Sequence, residues 1–132
     1  MESNLINPNL LNGLSLAYIG DSVYEVYIRK YVLSKGFTKV NTLHKKVVNY
    51  TSGLAQSNII HYLMENNLLT EVELQIFKRG RNSHINTSRK NLDLQDYLDA
   101  TGFESLIGYL YLNNNIERLE ELIKISIQVR GE

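Results

Sequence analysis

Apolar residues recur every three or four positions along almost the whole chain, with polar residues between them, and no strand pattern survives the count. The pattern predicts an all-α fold. The first helix is expected from about Leu10 to Leu33, ending at Ser34-Lys35-Gly36, where glycine can take the left-handed conformation that closes a helix. Two further helices, about Asn41 to Tyr50 and Leu54 to Glu65, part near Ser52-Gly53. Thr70 followed by Glu73 has the spacing of a capping box and starts a short helix through Lys78. A loop is expected from about Gly80 to Leu92, then helices from Asp93 to Leu112 and from about Asn115 to Val129. The only proline, Pro8, precedes the long helices, so none of them has to tolerate a break. Short connections and the lack of repeats predict one compact helical bundle, a single domain over residues 1–132.

The 132 residues suffice to bury roughly two-thirds of the surface an unfolded chain exposes. The absence of cysteine excludes a disulfide framework, a thiolate metal site and cysteine catalysis, and makes the cytoplasm the expected location. No apolar stretch approaches the ~20 residues that span a bilayer, and no leader pattern opens the chain, so no membrane partner is expected.

Fourteen Lys plus Arg balance fourteen Asp plus Glu, and net charge alone suggests no polyanion. Its distribution changes the picture. From Leu74 to Leu92 there is no acidic residue, while Lys78, Arg79, Arg81, Arg89 and Lys90 are basic and His84 lies among them. Arginine forks, the amide of Asn82 and nearby hydroxyls suit phosphate oxygens and ribose hydroxyls. The same composition also describes a solvated loop, and charge alone leaves both readings open.

Two carboxylates stand out. With about 100° per helical residue, Ser15, Ser22, Glu25 and Arg29 form the polar arc of the first helix, whereas Asp21 projects just outside it, bordered by Leu14, Ile28 and Val32. Glu104 has Tyr97, Ala100, Thr101, Ile107, Gly108 and Tyr111 as helical neighbours and no basic residue at pairing distance. An unpaired buried carboxylate costs several kcal/mol, so each must be neutralised. Backbone hydrogen bonds or a cation from another helix would do it, and so would one divalent ion shared by both, since Mg²⁺ prefers carboxylate oxygens completed by water and phosphate. Glu25 either joins such a site or pairs with Arg29 at i, i+4. Asp96 and Asp99 point away from Glu104 and are expected to face solvent. The histidines lack zinc-hydrolase spacing, and "GDSV" lacks the lysine and strand of a phosphate loop.

At these residues the chain resembles the ribonuclease III family. "LAYIGDSVYEVYIRKYVL" is similar to its signature helix and "GFESLIGYLYL" to its second motif, with Asp21 and Glu104 on the catalytic positions. With "GFTKVNTLHKK" and "KRGRNS" in the same order, residues from about Leu11 to Leu122 resemble Mini-III, the short bacterial branch without a double-stranded-RNA-binding domain. The resemblance implies a homodimeric, Mg²⁺-dependent endonuclease for double-stranded RNA, with Mn²⁺ as a substitute, leaving 5′-phosphate and 3′-hydroxyl ends. It implies maturation of large-subunit (23S) ribosomal RNA precursor, with a large-subunit ribosomal protein as a candidate helper. Tyr18, otherwise read as a core or surface aromatic, would match the aromatic that packs into the partner subunit. Long members carry two further carboxylates where this chain has Ala17 and Thr101, so half of the usual acidic cluster is missing. The competing reading is a non-catalytic helical dimer that binds structured RNA or a ribosomal component.

Overall fold

Asn12 opens the first long helix: its side-chain carbonyl accepts the amide of Ser15 at 2.8 Å, and α1 runs Gly13–Ser34, preceded by a 3-10 turn at Pro8–Leu10. The computed structural model describes residues 6–83 and 92–131, the side chains of residues 92 and 93 excepted. Five more helices follow: α2 (Val40–Thr51), α3 (Gly53–Glu65), α4 (Glu71–Arg81), α5 (Leu92–Leu112) and α6 (Ile116–Arg130). Among the described residues there is no strand, as the periodicity predicts. Gly36 ends α1 with φ at +96°, the left-handed conformation expected there. Ser52 closes α2 and caps α3, its hydroxyl accepting the amide of Ala55 at 3.1 Å.

Helix α5 is the axle. It packs against α1, α3, α4 and α6, so its Phe103, Leu106 and Ile107 are fully buried among Leu16 and Ile28 of α1, Ile59 of α3 and Leu122 of α6. Tyr24 of α1 meets Phe103 edge-on with ring centroids 5.1 Å apart.

Two expectations need correcting here. Helix α4 runs past Lys78 to Arg81, and Gly80 lies inside it, not at the start of a loop. The reason is packing: a Cβ on Gly80 would stand 2.0 Å from Ser105 Oγ and 3.1 Å from Gly102 Cα, so this glycine lets α4 press against α5. Asp99 does not face solvent. It is 5% exposed, because His61 of α3 and Arg81 of α4 close over its carboxylate from the neighbouring helices.

The predicted capping box is complete: Glu73 N donates to Thr70 Oγ1 at 3.1 Å and Thr70 N donates to Glu73 Oε1 at 2.9 Å. Glu73 is also buried and takes a two-pronged contact from Arg118 of α6, Nε to Oε2 and Nη2 to Oε1, each at 2.8 Å. Burial alone would raise the Glu73 pKa, but the Arg118 and Thr70 hydrogen bonds outweigh it and hold it below the ordinary range. A depressed carboxylate stabilises the fold above its unfolded pKa and loses that contribution only as pH falls through the lower folded value. Replacing Arg118 by Ala would strand the carboxylate; urea titration at neutral pH should show a loss of about 3 kcal/mol, and no loss would mean that the pair is structurally idle.

Candidate active site

Helices α1 and α5 cross at glycine. A Cβ on Gly20 would lie 1.8 Å from the carbonyl oxygen of Glu104, and one on Gly108 would lie 2.0 Å from the carbonyl oxygen of Leu16. The two backbones therefore touch reciprocally, one helical turn apart on each side. Asp21 follows one of these glycines and Glu104 lies one turn before the other, so the crossing itself delivers both side chains to one place.

That place is a cleft of about 260 Å³ lined by Leu14, Ala17, Tyr18, Asp21, Ser22, Tyr97, Thr101 and Glu104. Asp21 is exposed on its rim, while Glu104 is part-buried in its wall. The two positions at which the long-branch acids are missing, Ala17 and Thr101, line the same cleft; Thr101 turns its hydroxyl to the carbonyl of Tyr97 at 3.0 Å. Burial, and next the negative charge of Asp21 within hydrogen-bonding reach, push the Glu104 pKa up to about 8. Glu25 adds a smaller repulsion of the same sign, yet its carboxylate is engaged by Arg29 at 3.1 Å, the surface pair its spacing allows. Glu25 is thus close enough to be felt and is held on Arg29.

The partner that Glu104 finds from elsewhere in the fold is not a cation. It is Gln56 of α3, whose Nε2 donates to Glu104 Oε2 at 3.3 Å and to the carbonyl of Thr51 at 3.1 Å. A neutral amide gave no signal in a search for charged partners. The donor set fits a hard divalent ion: two fixed carboxylates on an open cleft suit Mg²⁺ or Mn²⁺, which keep several of their own waters. Among the described residues no three His, Asp or Glu side chains gather, so an ion here would rest on these two carboxylates and its own waters.

The basic residues of the predicted RNA-binding segment take different places. Lys78 and Asn82 are exposed. Arg79 donates Nη1 to the backbone carbonyl of Leu11 at 3.1 Å, tying α4 to the start of the chain. Arg81 donates Nε to Asp99 Oδ1 at 2.6 Å and also reaches Gln95, while His61 Nε2 lies 2.8 Å from Asp99 Oδ2. Arg81 is therefore a clasp among α3, α4 and α5. His84, Arg89 and Lys90 lie outside the described residues. A second acid-free segment escaped the sequence reading: from Val26 to Met64 there is no Asp or Glu, while Arg29, Lys30, Lys35, Lys39, Lys45 and Lys46 fall within it. A charge count over the whole chain, not over the expected loop alone, would have found it. Lys39 and Lys45 are exposed, and Lys46 stands 4.8 Å over the ring of Phe37.

Comparison with known proteins places this arrangement. Residues 14–115 match the family model described as the ribonuclease III domain. The chain is 46% identical to a Mini-ribonuclease 3 of Streptococcus pneumoniae, covering 94% of this chain and 97% of that one, and 50% identical to a Mini-ribonuclease 3 of Enterococcus faecalis, covering 92% of each. A protein of Fusobacterium nucleatum with a solved crystal structure matches with a TM-score of 0.79 at 34% identity, over 90% of this chain and 93% of that one.

Proposed function

Since this chain belongs to the ribonuclease III family, in its Mini-III branch, and is an endoribonuclease for double-stranded RNA, we propose that Asp21 and Glu104 are its catalytic carboxylates and together hold Mg²⁺ in the α1–α5 cleft. The observation that carries this reading is the meeting of two carboxylates from separate helices at a backbone crossing, one of them with its pKa displaced to about 8. Perturbed acids in a cleft mark functional sites. Held by Asp21 and Glu104, a divalent ion would supply Lewis acidity toward an attacking water and the leaving 3′ oxygen. Asp21 and Glu104 fix where that acidity sits, and Ser22 and Thr101 give the cleft a polar wall. With Ala17 and Thr101 in place of two acids, this chain offers fewer fixed ligands and holds the ion loosely.

The substrate reading rests on surface charge. Exposed Lys78, Asn82, Lys39 and Lys45 are assigned to RNA phosphates, and Arg89, Lys90 and His84 join them on sequence position alone. A-form RNA presents 2′-hydroxyls in a shallow minor groove, which lets a helical surface without a base-reading element select RNA over DNA. The proposed products carry 5′-phosphate and 3′-hydroxyl ends, and the proposed substrate is large-subunit ribosomal RNA precursor, cut in the cytoplasm. Among the described residues no helix is long and apolar enough to cross a membrane. Tyr18 is 82% exposed on the edge of the cleft, and Leu14 and Val26 are exposed along the same helix. Such aromatic and aliphatic exposure supports a homodimer with Tyr18 at its interface. The test is incubation of long double-stranded RNA with the protein and Mg²⁺: fragments with 5′-phosphate ends are expected, whereas binding without cutting under any divalent ion would leave the non-catalytic helical dimer.

The Glu104 shift makes a second expectation. A carboxylate whose folded pKa is raised is protonated more readily in the fold, so without divalent ion stability falls as pH rises from the ordinary glutamate range to about 8. Metal and proton compete for the same oxygens, and each pH unit below that value weakens apparent metal affinity by up to about tenfold. Mn²⁺ should therefore raise the melting temperature more at pH 8 than at pH 6. An equal rise at both would show that Glu104 does not take the ion.

A further inference from the structure

Gln56 is 1% exposed, deeper than the Glu104 carboxylate it contacts, and its amide is oriented by its surroundings. Both of its Nε2 hydrogens face acceptors, the Thr51 carbonyl and Glu104 Oε2. Turning the amide over would press its oxygen against the Thr51 carbonyl, which can only accept. Its actual orientation leaves Oε1 buried with no donor among the described residues. A buried carbonyl without a partner is costly, so the fold retains this amide for what its nitrogen does.

We propose that Gln56 is a positioning residue for the divalent site: by anchoring Glu104 Oε2 from within the core, it fixes the rotation of the carboxylate and aims Oε1 toward Asp21 and the cleft. The inference rests on the reading of Asp21 and Glu104 as ion ligands. Groups that orient a ligand in this way are worth about 10- to 100-fold in metal affinity. With two fixed acids and no others at positions 17 and 101, the orientation of Glu104 carries a larger share of the geometry here than it would in a four-carboxylate centre.

The probe is Mn²⁺ alone, titrated into the intact protein without RNA and followed by loss of the free-ion electron paramagnetic resonance signal. Gln56→Met keeps length and removes the donor; Gln56→Glu keeps shape and turns donor into acceptor, and gives a second route where the first does not fold. A folded variant of either kind should bind Mn²⁺ about 10- to 100-fold more weakly, and the Mn²⁺ concentration for half-maximal cleavage should rise by the same factor while turnover at saturating Mn²⁺ stays near the unmodified value. In a Glu104→Gln background, Gln56→Met should change nothing further. Unaltered Mn²⁺ affinity in folded Gln56 variants, where Glu104→Gln abolishes binding, overturns the inference and leaves the site intact. Unaltered affinity in Glu104→Gln itself overturns the underlying reading of the site.

Discussion

Glu104→Gln is expected to lower the rate of double-stranded RNA cleavage by roughly 10²- to 10⁴-fold while making the protein more stable, by an amount that grows as pH rises from the ordinary glutamate range to about 8 and is constant above it. On the proposed assignment, losing one of the two ligands would remove several kcal/mol of transition-state charge stabilisation. The opposite sign for stability follows from the pKa. Burial and Asp21 push Glu104 up to about 8, so its ionised form is disfavoured by the fold, and an amide of the same shape escapes that cost. The amide's oxygen can still accept the hydrogen bond from Gln56. Asp21→Asn should lose activity to a similar degree with little change in melting temperature, since Asp21 is exposed. Single-turnover cleavage and thermal unfolding on the same samples decide the matter. A variant that is folded and active removes Glu104 from the chemistry, and one that is unfolded contradicts the expected stability.

Gly20→Ala carries the second large effect, and it acts on fold and function together. The added methyl would stand 1.8 Å from the carbonyl oxygen of Glu104, which is backbone and cannot swing aside as a flexible side chain would. The helices must separate, at a cost of about 3 kcal/mol or more. Displacement of reacting groups by about 1 Å costs on the order of a hundredfold in rate, so cleavage should fall even where the variant folds. Gly108→Ala should behave alike, its Cβ falling 2.0 Å from the Leu16 carbonyl. Gly36→Ala is the control: nothing lies within 4 Å of its Cβ, and only the positive φ penalises it, by about 1 kcal/mol with activity retained. Equal tolerance of alanine at positions 20 and 36 in denaturant titrations would contradict the close crossing.

Much of this was legible along the chain because local chemistry and tertiary structure agree. The left-handed Gly36, the Thr70–Glu73 box and the break at Ser52-Gly53 are each set by neighbouring backbone, and each falls where the sequence places it. Glu104 was visible as a polar residue on an apolar face; Asp21, expected at the edge of the buried face, is exposed, since the cleft opens over it. Gly80 misled because glycine marks both turns and close helix contacts, and only the neighbouring helix tells them apart. Asp99 misled because a helical wheel of one helix does not show the neighbours, here His61 of α3 and Arg81 of α4, that cover it. Arg81 followed the same course, its charge taken up by a carboxylate the wheel had sent to solvent. Gln56 carried no signal in the sequence, since a neutral residue shows its purpose only through the group it faces.

The α1–α5 crossing also bears on how such an enzyme wears out. Where ligands sit on loops, local opening with little free-energy cost can disarm a site long before the domain melts. Here both carboxylates ride on the mid-portions of the two helices whose contact is the centre of the core. The backbone positions of the two acids cannot separate without parting helices that meet at the centre of the core. On the proposed assignment, heating is expected to remove catalytic competence and native structure in the same transition.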